Sequence, residues 1–513
     1  MADNTLLLIL WIPFLLLLPL LLLLLRKQIN KPQKHFPPSP PKLPIIGNLH
    51  QFTQSGSSLH QNLWRLSQKY GPLMLLHMGR RPTLIISSAE AAKQTLKDND
   101  LHCCSRPASL GSRRLTFNYL DIAFSPYGEY WREIRKICVH EIFSAKGVQS
   151  YRSIREEEVV KMIDSISDAS ASSSPVNLTE KLFALMSSII FRIVFGTSFQ
   201  GSDLEHERFL RVLLDSRDML TGFSSCAADF FPPCIGWIID RISGKHREFD
   251  RVSREVHRFF QQAIDDHLRP GRTQQEHEDI VDVLLKMVKK QTEIGAAQLG
   301  HNNIKAVLLD LFLGGVDTTA TAMVWAMAEL ATNIRVMKKA QEEIRNCIGN
   351  KGKATEIDTE QLQYLKMIVK ETLRLHPSGP LLLPRETMSH FKVLSYDVDP
   401  KTTILVNDWA ISRDPEFWND PEKFIPERFD DRSVDFKGQH FDFLPFGAGR
   451  RICPGIYMAA TTMELALAKL LCCFDWKVPD GMNEEDIKME ETTHGVTICL
   501  KNPLNLVPMR YSC

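Results

Sequence analysis

The stretch Phe443-Leu-Pro-Phe-Gly-Ala-Gly-Arg-Arg-Ile-Cys-Pro-Gly455 decides how this chain is read. It sets a single cysteine, Cys453, among glycines and arginines, and an apolar run with helical spacing follows from Pro454 to about Leu471. Proline suits a first helical position, because its φ is fixed and its N–H is missing. Cys453 is therefore expected at a helix N-terminus, beside unpaired N–H groups and the positive end of the dipole, where thiolate is favoured. Gly447 and Gly449 let the backbone turn tightly and approach a flat ligand. Arg450 and Arg451 offer guanidinium groups to anionic substituents of that ligand. One thiolate for a metal and arginines for carboxylates fit haem and its propionates; a lone zinc would need more cysteines or histidines nearby. An isolated cysteine is by itself more often a buried structural thiol.

The surrounding pattern reverses that. Phe446-x-x-Gly449-x-x-x-Cys453-x-Gly455 resembles the haem-binding loop of the cytochrome P-450 family with every fixed position matched, and the run from Pro445 to Gly455 resembles the plant microsomal, A-type branch. The resemblance implies one large, mainly α domain with a small β-rich region, and haem b ligated by the Cys453 thiolate. It also implies cofactor contacts from Phe446, Arg451 and Gly455.

Length alone, 513 residues, would divide into about three domains. No linker breaks residues 46–513, which are read as a single catalytic domain. The net charge of +1 argues against a nucleic-acid binder. Leu6–Leu25 is charge-free and mostly leucine, long enough to span a bilayer. No basic segment precedes it and no small-residue cleavage site follows, so residues 1–25 read as a retained anchor and not a signal peptide. Arg26, Lys27, Lys31 and Lys34 come directly after, which places the bulk of the chain on the cytosolic side. Residues 26–45 form a basic, proline-rich linker, with Pro37–Pro44 a stiff spacer. The resemblance makes the membrane that of the endoplasmic reticulum. Eleven cysteines in the cytosol are expected to stay reduced.

Leu73–Met78 and Thr83–Ile86 read as a β-hairpin. Leu101–Ala123 reads as loop, as does Thr221–Trp237 with its Pro232-Pro233, where the family carries a mobile lid. Trp131 and Arg135 share a helix face; the resemblance makes them propionate ligands, with Arg385 reaching the second propionate. Arg132 and Lys136 are candidates for a basic face that meets an acidic redox partner. Ala296–Ala331 has the all-round apolar pattern of a buried helix. Gly314 and Gly315 interrupt it at about 1 kcal/mol each, followed by Asp317 and Thr318. A costly Gly-Gly beside an acid and a hydroxyl is explained by a local opening toward a small ligand. The segment resembles the family's oxygen-activation motif, in which Thr318 orients dioxygen and its proton-delivering water while Asp317 relays protons.

Glu371 and Arg374 are spaced for an ion pair, and the resemblance joins them to Arg428 in a structural network. Thr402–Val406 is read as pairing with Val393–Val398 in a hairpin around Asp399-Pro-Lys401. The resemblance places Gly314, Ser378, Gly379, Leu382 and Thr493 at the substrate pocket, and the small Ser378-Gly379 pair leaves room there. What it implies in sum is a membrane-anchored haem-thiolate monooxygenase. The enzyme would take dioxygen, a small apolar plant metabolite, and electrons from NADPH–cytochrome P-450 reductase, this chain having no flavin or nicotinamide domain of its own. An isomerase or dehydratase on the same fold would have lost the Asp317-Thr318 pair; a non-enzymatic haem- or steroid-binding membrane protein would not need it.

Overall fold

The computed structural model describes residues 34–52, 57–171, 174–196, 203–220, 226–270, 278–294, 299–349, 355–430, 433–492 and 495–511. The expected anchor, the basic residues Arg26, Lys27 and Lys31, and Thr493 lie outside these.

The sheet nearest the N-terminus begins with β1 (Leu73–Met78) and β2 (Arg81–Ile86), antiparallel with Leu73 opposite Ile86. The hairpin is as expected, with β2 starting two residues earlier. The proline spacer is docked along it: Leu75 N–H donates to the Pro38 carbonyl (2.9 Å), and Asn48 Nδ2 donates to Pro40 and Pro41.

The segment 101–123 is not all loop. It holds the one-turn helix Asp100–Cys103 and the helix Leu110–Leu115, which Ser109 caps by accepting the Ser112 N–H. Beyond it come α1 (Glu129–Glu141), α2 (Arg152–Ala171) and the short strand β3 (Val176–Asn177). The Ser/Ala-rich composition from Ala169 does not stop α2, which runs through Ala171.

Then follow α3 (Leu178–Phe195) and α4 (Asp203–Leu220). The segment 221–237 is also not simply a loop. Ala227–Phe230 forms a helical turn, and α5 (Pro233–Ile242) starts with a proline in its first turn. Pro232-Pro233, read as part of that loop, is instead a helix start, since no helical N–H is needed there. The long α6 (Lys245–Leu268) packs back over α4.

The buried helix expected from Ala296 starts at His301 as α7 (His301–Phe312), opens into a π-turn over Leu313–Asp317, and continues as α8 (Thr318–Thr332). Thr319 to Ala331 are all buried. A helix apolar on every side can only sit in the middle of a core, and α8 is packed by α3, α10 (Gln363–Leu375) and α11 (Ile456–Cys473), with α9 (Ile334–Ile348) at its end. The stretches His301–Thr332 and Ile456–Cys473 are apolar and long enough to cross a membrane, but they are this core.

The strands after α10 pair differently from expectation. β4 (Arg385–Glu386) is followed by β5 (Phe391–Val393) and β6 (Tyr396–Val398), and these two make the hairpin. Leu394 and Ser395 turn it, with φ +47° and +68°, the left-handed pair that a two-residue hairpin requires. β7 (Thr403–Val406) leaves the hairpin and joins the first sheet, parallel to β2, in the order β1-β2-β7-β4. All four of its residues are buried, as suits an inner strand. β8 (Phe474–Lys477) and β9 (Asn505–Arg510) close a small sheet with β3.

Candidate active site

The quoted loop is folded by its glycines. Gly447 and Gly449 have φ +68° and +67°. A Cβ at Gly449 would lie 2.3 Å from the Leu96 carbonyl oxygen and 2.8 Å from the Asp100 carboxylate, so only glycine fits. Cys453 N–H closes the loop on the Phe446 carbonyl (3.0 Å), and Phe446 packs edge-on to Phe436. Leu382 lies against the loop: a Cβ on Gly447 would be 3.7 Å from Leu382 Cδ1.

The helix beyond starts later than its sequence pattern indicates. Gly455 is the N-cap and Ile456 the first residue of α11, so Pro454 belongs to the turn. Cys453 thus precedes the helix by three residues, and the thiolate-favouring effect expected of the helix end is outweighed. Burial pushes the Cys453 thiol up from its ordinary value, while the Gly455 N–H and Arg135 pull the other way. A bound cation reverses that balance, since a coordinating thiol is deprotonated outright.

Around the loop, arginines converge from distant segments. Arg451 points inward and donates to the carbonyls of Cys104 (2.8 Å), Ile122 (3.2 Å) and Ser125 (2.6 Å). Arg135 donates to the Ile452 carbonyl, inside the loop itself. Arg385 pairs with Asp100 (2.5 Å) and donates to the Ala448 carbonyl (2.6 Å). Arg450, expected to face the ligand, turns outward; it binds the other oxygen of Asp100 (2.9 Å). Trp131 spends its indole N–H on the Ile122 carbonyl (2.9 Å), with the Arg451 guanidinium 3.9 Å from the centre of its ring.

Arg106 joins this group although nothing in its local sequence marks it beyond a lone arginine before Pro107. It is buried and donates to Ala123 (2.8 Å), Leu383 (2.7 Å) and Pro384 (2.7 Å). Burial, and then repulsion from neighbouring guanidinium groups, lowers Arg106; burial chiefly brings Arg451 to about 9. Among the described residues, the only ion pair made by Arg106, Arg135, Arg385 and Arg451 is Arg385–Asp100. This surplus of buried positive charge beside a cysteine loop fits a cofactor that carries two carboxylates and needs a thiolate.

The π-turn of the central helix carries a second set of polar groups. Thr318 Oγ1 donates back to the Gly314 carbonyl (2.6 Å), a back-bond that accompanies the opened turn. The two glycines divide the labour: a Cβ on Gly315 would press to 2.8 Å from Ile190 Cδ1, whereas one on Gly314 would meet nothing within 4 Å. Asp317 is buried and pairs through Oδ1 with Arg217 of α4 (3.0 Å), while its Oδ2 is buried without a hydrogen-bond partner. Ser378 does not offer its hydroxyl to a pocket; it donates to the Thr318 carbonyl (3.0 Å), tying the turn after α10 to the opened helix. Gly379 next to it has open space where a side chain would be.

Glu371, Arg374 and Arg428 meet as one unit. Arg374 grips both oxygens of Glu371 (2.8 and 2.9 Å) and Arg428 Nε donates to Oε1 (2.9 Å), with Glu371 and Arg374 completely buried.

A family model described as Cytochrome P450 matches residues 37–507, nearly the whole described chain. The chain belongs to the cytochrome P450 family. It is 52% identical over 475 residues to Cytochrome P450 71B34 of Arabidopsis thaliana, covering 93% of both chains. It is 50% identical to Cytochrome P450 71B35 of the same plant, covering 98% of this chain and 99% of the relative. Among solved structures, a zebra fish cytochrome P450 with progesterone superposes with a TM-score of 0.75 at 25% identity, over 88% of this chain and 99% of that one. The A-type resemblance and the fold class therefore hold. This cytochrome P450 is a monooxygenase, and its cofactor is thiolate-ligated haem.

Proposed function

We propose that Cys453 supplies the thiolate to haem b, and that Arg106, Arg135, Arg385 and Arg451 neutralise its propionates with Trp131 packed beneath. Phe446 and Gly455 shape the loop around the sulfur. The bound haem supplies the iron at which dioxygen is activated, with the thiolate as electron donor. The chain's own residues do the rest. Gly314 leaves the space beside the opened turn free for a ligand, Thr318 holds a water at its hydroxyl, and Asp317 passes protons in through its unpaired Oδ2. Arg217 ties that acid to α4, the helix before the expected lid.

The substrate we infer is a small, mostly apolar plant specialised metabolite: a terpenoid, phenylpropanoid, alkaloid or amino-acid derivative. The observation that supports this reading is the empty space at both Gly314 and Gly379, where an added Cβ would meet nothing within 4 Å. Such space favours a bulky ligand held chiefly by burial. Electrons come from NADPH–cytochrome P-450 reductase, and the exposed Arg132 and Lys136 on α1 suit an acidic partner surface.

The protein sits on the endoplasmic reticulum membrane by a single pass of residues 1–25, with its catalytic domain in the cytosol. An exposed apolar patch supports contact with lipid. Ile45 (76% exposed) and Leu43 lie by the hairpin whose Arg80 N–H binds the Phe230 carbonyl, next to α5 with exposed Trp237 and Ile242 (82%).

The test is a spectral-shift screen of such metabolites against the haem-loaded enzyme, followed by turnover with the reductase and NADPH. A shift of the ferric Soret band and NADPH-dependent incorporation of one oxygen atom are expected. Product formation without NADPH would overturn the monooxygenase mechanism in favour of rearrangement chemistry.

A further inference from the structure

Asp310 stands alone as an acid in the run Leu308-Leu309-Asp310-Leu311-Phe312 of α7, whose other members are buried and apolar. A carboxyl in such company costs several kcal/mol unless it is satisfied. Its Oδ2 accepts two consecutive backbone N–H groups, from Ile122 (2.7 Å) and Ala123 (3.1 Å). Asp121, just before them, is completely buried; its Oδ2 accepts the Phe124 N–H (2.6 Å) and its Oδ1 has no hydrogen-bond partner. Among the described residues neither acid makes an ion pair.

The carbonyls of the same short segment face the other way. Ile122 accepts from Trp131 (2.9 Å) and Arg451 (3.2 Å), Ala123 accepts from Arg106 (2.8 Å), and Ser125 accepts from Arg451 (2.6 Å). The segment is therefore a relay of peptide groups. Its N–H side is held by the central helix, and its C=O side holds the groups assigned above to the haem propionates. Hydrogen bonds in such a chain polarise one another, so the position of the Asp310 acceptor oxygen is felt at the guanidinium groups two bonds away.

We propose that Asp310 is a positioning residue for the haem propionates: it fixes the Ile122–Ser125 segment from α7 and thereby sets the aim of Arg106, Arg451 and Trp131. The inference rests on the propionate reading of those three residues. Burial, and then the neighbouring Asp121, pushes Asp310 well up from the ordinary carboxylate range, and burial pushes Asp121 to about 6. Asp310 therefore acts chiefly through the geometry of its acceptor oxygen. A neutral side chain with an oxygen in the same place should serve, and an apolar one of equal size should not.

The experiment compares the haem-loaded enzyme with Asp310→Asn, Asp310→Leu and Arg106→Leu. Three quantities are read: the rate of haem transfer to apomyoglobin, the propionate bending band in the resonance Raman spectrum, and amide exchange of α8 in the loaded protein. Asp310→Leu is expected to lose haem at least tenfold faster and to shift the propionate band, with α8 exchange unchanged. Asp310→Asn is expected to restore both. If Asp310→Leu accelerates α8 exchange in step with haem loss, or if Asp310→Asn fails to rescue, the residue is merely part of the core and the proposal falls. If Arg106→Leu moves the propionate band and Asp310→Leu does not, Asp310 has no positioning role. If neither moves it, the propionate reading itself is wrong.

Discussion

Replacing Glu371 by alanine should be among the most damaging single changes in the molecule. The carboxylate accepts four hydrogen bonds: two from Arg374 (2.8 and 2.9 Å), one from Arg428 Nε (2.9 Å) and one from the Ile425 N–H (2.9 Å). Glu371 and Arg374 have no exposure at all. Arg374 cannot swing to solvent, because it also donates to the carbonyls of Ser412 (2.7 Å) and Pro421 (2.8 Å) and lies against Trp418. Truncation would leave two guanidinium groups around a vacated site with no counter-charge. Breaking a buried pair costs about 3–5 kcal/mol, and here one acid serves two arginines, which argues for the upper end. Against a total stability of roughly 5–15 kcal/mol, that loss is a large fraction. Glu371→Gln retains an acceptor oxygen and should lose less, about 1.5–3 kcal/mol for the charge-assisted bonds. A surface pair supplies the control: Arg335 is 69% exposed where it meets Glu427, so Arg335→Ala should cost under about 1 kcal/mol. Chemical unfolding of the loaded enzyme, followed by the Soret band and by tryptophan fluorescence, measures all three. A Glu371→Ala enzyme within about 1 kcal/mol of its parent, or a cost no greater than that of Arg335→Ala, would refute the reasoning.

Cys453→Ser should abolish the red-shifted Soret band of the ferrous carbon monoxide complex, because serine is a harder and weaker donor; a retained band would remove Cys453 as ligand. Thr318→Ala should keep haem and substrate but divert NADPH to peroxide, measured as product formed per NADPH consumed, and unchanged coupling would remove its role in proton delivery. Gly379→Val fills space that is empty in the structure, and should alter substrate affinity and the position of oxidation more than haem content; an unchanged product ratio and affinity would place residue 379 outside the pocket. Asp408 is fully buried, and burial pushes it up to about 7, with the Leu444 N–H opposing. An acid raised on folding binds its proton more tightly in the native state. Stability should therefore fall as pH rises from about 4 to about 7, by about 1.4 kcal/mol per unit. Asp408→Asn should flatten that slope in a series of melts across this range, and a parallel slope in both proteins would count against it.

Much of the molecule is legible locally. The cysteine loop, the all-apolar α8, the Gly314-Gly315 interruption and the β1–β2 hairpin each declare themselves through residues close in sequence, because periodicity, backbone freedom and turn chemistry act over a few positions. The misreadings come where local signals are ambiguous. Prolines that end one element can begin another, as Pro233 does at α5. The strand β7 is apolar enough to pair with β6 or with β2, and only the presence of the first sheet decides for β2.

The composition of the site belongs to tertiary structure. Arg385 finds Asp100 across 285 positions, Arg217 finds Asp317 across 100, and Asp310 finds the Ile122 N–H across 188. Read in sequence, Asp100 and Arg217 look like ordinary solvated charges, and even Arg385, Asp317 and Asp310, which motif or apolar context sets apart, do not show which residue they meet. Whether a charge is solvated or buried against a distant partner is set by the packing around it, and the cost of burying it unpaired is what makes those long-range pairings specific.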